Sequence, residues 1–238
     1  MRVCIIVLCL AAVCALVVGC EGPATQPAGG PAAQPAVTAA EKPAAPAAKR
    51  LGPYEPVSNW LDEEGFIANW LVIGPFPNPG DRPDNKGFDT DYLGGEANYV
   101  PANGAEVAKE DGTKVKWAQY NSPDPEINFS SIEQLGLEYG QEDILTYSAC
   151  WLELKEDADV EIRVGSDDGY KLWIDHKLIG AEHVYRAAAT DQEVYPMKLS
   201  KGTHLILMKV DQDWGEYEFM LRVVTPDGKT VPGIKVWN

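Results

Sequence analysis

Two adjacent carboxylates, Asp167 and Asp168, stand in the stretch RVGSDDGYKLWIDHKLIG, between two segments that alternate like strands. A calcium ion takes about six to eight oxygen ligands, and neighbouring carboxylates with turn carbonyls supply several of them. Gly169 lets the chain fold close around such an ion. The same Ser-Asp-Asp-Gly is also good turn chemistry, because an Asp side chain accepts hydrogen bonds from nearby backbone N–H groups. Both readings stay open here: a calcium or ligand site at Asp167 and Asp168, or only the corner of a hairpin. A second acidic stretch, VDQDWGEYEF at 210–219, offers Asp211 and Asp213 as a weaker calcium candidate; it lacks the distal Glu of an EF-hand loop. Trp214 at its tip could stack on a sugar ring, against the blander expectation that it folds back over the edge of the fold. Trp173 is the other stacking candidate. A third stretch, GDRPDNKGFDTDY, carries Asp81, Asp84, Asp89 and Asp91 and reads as a solvated acidic loop.

Catalytic chemistry finds little support. The histidines are His176, His183 and His204, and His204 is expected to point outward from a strand. No serine stands in a nucleophile-elbow context, no His/Cys spacing suggests zinc, and no glycine-rich phosphate loop joins a strand to a helix. A glycosidase would need two positioned carboxylates, and nothing in the sequence selects a pair. A non-catalytic protein is expected, with no required cofactor and calcium as the optional ion.

The ends bear on compartment. Residues 3–18 are an apolar run after Met1-Arg2, shorter than a spanning helix needs, and it closes on LVVGC. That ending resembles the bacterial lipobox. It implies a signal peptide over 1–19 and lipidation of Cys20 with a diacyl (palmitate-type) anchor, so that the protein is exported and held on a cell membrane or outer membrane. Residues 20–50 would then be the lipidated cysteine and an Ala/Pro-rich tether, too poor in apolar side chains to offset ordering entropy. Cys150 would be the one thiol left apart from Cys20, and its apolar setting reads as buried and inert. The formal net charge of −16 disfavours nucleic acid and anionic lipid as partners. It suits cations or neutral polysaccharide, and it also suits an ordinary solubilising surface.

From residue 51 onward the chain holds all seven tryptophans and all ten tyrosines, enough for one folded domain over 51–238. Val160, Ile162 and Val164 alternate on one face, as do Tyr170, Leu172 and Ile174. ILTYSACWLEL, EVYPMKL, THLILMKV and EYEFMLRVV read as further strands, and DGTKVKWAQY as a turn leading into one. Helical signals are confined to SSIEQLG, with Ser130 and Glu133 spaced as a capping box, and to SNWLDEEG. The expected fold is all-β: an antiparallel β-sandwich or jelly roll with one or two short helices.

VGSDDGYKLWIDHKLIG resembles the core motif of the anthrax toxin protective antigen-like β-sandwich, through Ser166, Asp167, Asp168, Gly169, Leu172, Trp173, Ile174, Asp175 and Lys177. His176 departs from it, standing where the family usually has a hairpin glycine. FIANWLVIGPFPN and LSKGTHLILMKVDQDWGEYEFMLRVV are similar to flanking pieces of the family. The resemblance implies a non-catalytic domain that binds glycan, in some members through a calcium ion held by the paired aspartates. The alternative is a structural lipoprotein that docks an envelope protein partner and binds no sugar.

Overall fold

A computed structural model of the chain describes residues 62–238. The signal segment, Cys20 and the tether lie outside the described residues, as does the start of SNWLDEEG. From its described end, Asp62 Oδ1 accepts the amides of Glu64 and Phe66 at 2.9 and 2.8 Å, closing a turn.

The fold is all-β and antiparallel. In chain order the strands are β1 (Asn69–Pro77), β2 (Glu106–Ala108), β3 (Lys114–Lys116), β4 (Ala118–Asn121), β5 (Ile127–Asn128), β6 (Ile144–Leu154), β7 (Ala158–Asp167), β8 (Tyr170–Ile174), β9 (Lys177–Glu182), β10 (Glu193–Leu199), β11 (Gly202–Gln212), β12 (Glu218–Val224) and β13 (Lys235–Trp237). One sheet runs β4-β1-β6-β11-β8-β9, with β13 pairing β6 beyond the end of β1; the other runs β10-β7-β12-β5. A small ribbon, β2-β3, stands apart. SSIEQLG forms two single 3-10 turns, Phe129–Ser131 and Glu133–Leu135, without a side-chain cap.

The core between the sheets takes alternate residues from each side. Val160, Ile162 and Val164 of β7 meet Cys150 and Leu152 of β6, Leu172 and Ile174 of β8, and Ile206 and Met208 of β11. Cys150 is fully buried, and burial pushes its thiol well above the ordinary range, so it is inert. The central strands of the larger sheet do not alternate with polar residues, because both of their faces are covered. Leu145, Tyr147, Ala149 and Trp151 of β6 and Leu205 and Leu207 of β11 turn to the outer face and form a second apolar cluster with Leu93 and Trp117. The segment between β1 and β4 lies over that face. It is tied down by Lys209, whose side chain is fully buried, with Nζ at 2.8 Å from Glu96 Oε1 and donating to the carbonyls of Phe88 (2.9 Å) and Thr90 (2.7 Å). Burial lowers the pKa of Lys209, and the Glu96 carboxylate opposes that shift.

The second covered face corrects two expectations. Trp173 is 5% exposed within the outer cluster, so it packs the core and offers no stacking surface. His204 does not point outward: it is 6% exposed, with Nδ1 at 2.6 Å from Asp175 Oδ2 and Nε2 at 2.7 Å from the Ser200 carbonyl. The β8–β9 hairpin survives without glycine, because Asp175 and His176 both take left-handed φ values, 48° and 68°. These are values that Asp and His tolerate better than most side chains.

Candidate functional site

Asp167 and Asp168 do not form a hairpin corner. β7 belongs to the smaller sheet and β8 to the larger one, so Asp168 and Gly169 make the crossing between them. Asp167 is still paired, opposite Glu218, and its peptide bond to Asp168 is cis. Ser166 Oγ donates to the Asp168 carbonyl at 2.7 Å. On the far side, the Asp168 amide donates to the Asp211 carbonyl (3.2 Å) and the Asp211 amide to the Gly169 carbonyl (3.0 Å), joining the crossing to the end of β11.

Two more crossings between the sheets lie at the same end: residues 183–192 from β9 to β10, and residues 213–217 from β11 to β12. Asp168 holds both. Its Oδ1 accepts the Arg186 amide at 3.0 Å and its Oδ2 accepts the Asp213 amide at 2.9 Å. At 1% exposure this carboxylate works away from solvent. Burial raises its pKa, and the two amides and Arg82 pull it back down.

The 210–219 stretch and the Asp167–Asp168 stretch, two candidates in sequence, are therefore one place in space. The structure adds a residue that sequence reading did not single out. Arg82, from the acidic loop after β1, sends Nη2 to Asp211 Oδ2 at 2.8 Å, with Asp168 Oδ2 at 3.9 Å, while its Nε lies 4.0 Å from Asp213 Oδ2. Its side chain is 8% exposed. Asn78 Nδ2 also approaches Asp211 Oδ2, at 3.4 Å. His183 stacks on Phe88 with ring centroids 4.2 Å apart, and its Nε2 stands 3.5 Å from the same oxygen. Burial and Arg82 lower its pKa, which favours the neutral ring. Gly169 is needed here for space: a Cβ would stand 2.5 Å from Asp211 Oδ1 and 2.6 Å from the Glu182 carbonyl.

This donor set does not fit a calcium ion. Both Asp168 oxygens already accept backbone amides, Asp211 Oδ2 is taken by Arg82 and Asn78 with only Oδ1 left unpartnered, and the Arg82 guanidinium stands within 2.8–4.0 Å of all three carboxylates, its positive charge opposing a second cation. Among the described residues no three His, Cys, Asp or Glu side chains gather in a way that could hold a metal. Asp167 points to a different neighbourhood. Its Oδ1 has no hydrogen-bond partner, and burial, with Asp168 and Glu216 nearby, pushes its pKa up to about 7. The four aspartates of the acidic loop are all exposed, as a solvated loop requires; among them Asp89 pairs with Lys171 at 2.6 Å, and Asp91 accepts the amides of Leu93 and Glu96.

Among the described residues the exposed aromatic side chains are Tyr139, Tyr185 and Trp214, at 76, 58 and 63%. Trp214 thus stands out from its loop and does not fold back over the edge. Trp214 follows Asp213 and Tyr185 precedes Arg186, so each neighbours an amide that Asp168 holds. Tyr139, from the loop before β6, donates its hydroxyl to Glu216 Oε1 at 2.8 Å, which joins it to the Trp214 loop.

No family model matches the chain, and no curated protein matches it. Several solved structures are similar at low identity. The epithelial adhesin 9 A domain of Candida glabrata, in complex with Galb1-3GlcNAc, is 6% identical, covers 76% of this chain and 94% of its own, and gives a TM-score of 0.40. The PA14 domain of the MpAFP antifreeze protein is 15% identical over 77% of this chain and 85% of its own, with a TM-score of 0.35. A beta-glucosidase from Kluyveromyces marxianus, in complex with glucose, is 12% identical over 65% of this chain at a TM-score of 0.37. The chain spans only 16% of that glucosidase and 39% of a similar anti-sigma factor domain-containing protein. Likeness of this degree transfers neither a ligand nor a residue role.

Proposed function

We propose that this chain is a non-catalytic, glycan-binding protein of the cell envelope, carried on a lipid at Cys20 and an Ala/Pro-rich tether. It would take a neutral oligosaccharide or polysaccharide at the loop end of the sandwich. One observation carries the reading: two of the three exposed aromatic residues, Tyr185 and Trp214, sit on separate loops whose backbones are fixed by the same buried carboxylate, Asp168. Aromatic rings suit the C–H faces of pyranoses, and polar side chains beside them suit the hydroxyls. Asp213, next to Trp214 in the chain, and Glu216, two residues after it, supply acceptors beside that ring. Loops already held in place lose little entropy on binding, which favours a recognition surface over a flexible tip.

The test is a polysaccharide and oligosaccharide binding screen on the chain from Cys20 onward, followed by Trp214→Ala and Tyr185→Ala. Each variant should weaken the selected glycan at least about tenfold, roughly the loss of one good aromatic contact, while the unfolding temperature stays unchanged. Retention of no glycan, or unaltered binding by both variants, would sink the assignment. The anchor is checked separately: Cys20→Ser should move the protein from the membrane fraction to the soluble one, and continued fractionation with membranes would refute it.

A further inference from the structure

We infer that Arg82 is the resident cation of the Asp168 crossing, so that the loops bearing Tyr185 and Trp214 are set without any divalent metal. The resemblance to the protective-antigen-like family implies, for some members, a calcium ion at the paired aspartates, and this chain departs from those at the level of atoms. Asp168, Asp211 and Asp213 would repel one another around a buried point. Asp211 is fully buried, Asp168 is 1% exposed and Asp213 has 26% side-chain exposure, so water screens the first two hardly at all. The guanidinium donates from Nη2 to Asp211 at 2.8 Å and stands within ion-pair distance of Asp168 and Asp213, at 3.9 and 4.0 Å. Arginine suits the place because it stays charged when buried. His183 cannot share the task while its ring is neutral. Arg186 is engaged elsewhere, in a two-point pair with Glu193 at 2.6 and 2.9 Å, and Lys171 is paired with Asp89.

The position of Arg82 depends on its own loop. Asn78 Oδ1 accepts the Phe88 amide at 3.1 Å, Asp84 N donates to the Asp81 carbonyl at 2.8 Å, and Lys209 holds the carbonyls of Phe88 and Thr90. Nη1 of Arg82 rests over Gly169, where an added Cβ would lie 3.1 Å away. The charge is thus delivered by an insertion between β1 and β4 to a crossing between β7 and β8, and the bare Gly169 backbone leaves it room. Arg82 acts as a positioning residue: it steadies Asp168 and Asp211, and Asp168 holds the two loops.

The experiment is amide exchange at residues 183–192 and 213–217, with thermal unfolding, in millimolar calcium and in chelator. No glycan is present, so the result stands apart from the glycan reading. The unaltered chain is expected to give the same exchange and the same unfolding temperature in both conditions. Arg82→Ser should speed exchange in both loops at least about tenfold, and calcium should restore part of that protection by filling the vacated charge. Arg82→Lys, which keeps the charge, should recover more of the protection than Arg82→Ser does. Should Arg82→Ser fail to fold, the unaltered chain and Arg82→Lys still decide the matter. Calcium-dependent protection in the unaltered chain overturns the inference, and so does an Arg82→Lys variant no better protected than Arg82→Ser.

Discussion

Replacing Asp168 by asparagine removes one charge without removing volume. Of the two carboxylate oxygens, one accepts the Arg186 amide at 3.0 Å and the other the Asp213 amide at 2.9 Å. Asparagine can keep one of these contacts, but its amide nitrogen must then face the other backbone N–H, donor against donor. Losing a hydrogen bond to a charged acceptor costs about 1.5–3 kcal/mol, and leaving a buried donor without a partner costs about 1–3 kcal/mol. Relief of the carboxylate's own desolvation, visible in its raised pKa, offsets part of this. A net loss of about 2–3 kcal/mol follows, or about 4–12 °C of unfolding temperature for a domain of this size. The loss should be local before it is global. Amide exchange should rise at 183–192 and 213–217 while the β6–β11 ladder, with Leu207 opposite Ala149, keeps its protection. Asp167→Asn is the control, since Asp167 Oδ1 has no partner to lose. Equal protection of the two loops in Asp168→Asn and the unaltered chain would refute the clamp, and so would equal loosening in both variants.

Two further outcomes can be measured. The folded-state pKa values of Asp167 and Glu218 are raised, to about 7 and about 8, by burial and by neighbouring carboxylates (Asp168 and Glu216 beside Asp167; Glu126 beside Glu218), with Arg186 the opposing charge at Asp167. A carboxyl that holds its proton more tightly when folded makes stability fall as pH rises from its ordinary value through its folded one. His204, whose pKa is raised by Asp175, contributes stability below its ordinary value that is lost as pH climbs through the folded one. Urea unfolding midpoints should therefore decline between about pH 4 and pH 8, and Asp167→Asn with Glu218→Gln should flatten that decline; an unchanged slope would refute the attribution. Lys209→Met keeps the length of a fully buried side chain but leaves Glu96 without its cation, and should cost about 3–5 kcal/mol. Adding Glu96→Gln should return part of this, and a loss below about 1 kcal/mol in urea unfolding would show that the ion pair does not fasten the covering segment.

Strand identity in this chain was legible wherever one row of residues faces a core and the next row does not. Val160, Ile162 and Val164, and Tyr170, Leu172 and Ile174, fall where period two puts them. The phase fails in β6 and β11 because both rows there are apolar. THLILMKV carries Leu205 and Leu207 toward one cluster and Ile206 and Met208 toward the other, so its alternation gives no inward direction. That single fact misplaces His204, which shares the inner row of Ile206 and Met208. Trp173 fails for a related reason: it lies opposite Leu172 and Ile174, on a face that a plain two-sheet sandwich would leave to solvent. No local pattern says that the long segment after β1 returns over that face, because its evidence is a lysine, Lys209, buried in a strand, and a lone lysine in a strand ordinarily reads as surface.

The site was half legible for the same reason. The Asp-Asp-Gly stretch marks itself by residue type, and so does Asp-Gln-Asp-Trp-Gly, but that they are neighbours follows only from strand pairing between β8 and β11, where Tyr170 faces Val210. Arg82 was hidden further. In GDRPDNKGFDTDY it is one of two cations, with Lys86, among four acids, and its own neighbours would suffice to explain it as a surface charge. What distinguishes it is the destination of the loop. Burial of a guanidinium against Asp168 and Asp211 is tolerable only because carboxylates await it there, and burial of those carboxylates is tolerable only because the guanidinium arrives. Neither half has a local signature, since each is destabilising alone. A sequence motif that resembles a metal corner can therefore persist in a chain whose corner is closed by its own side chain, and the covering loop, far from the motif, decides which of the two it is.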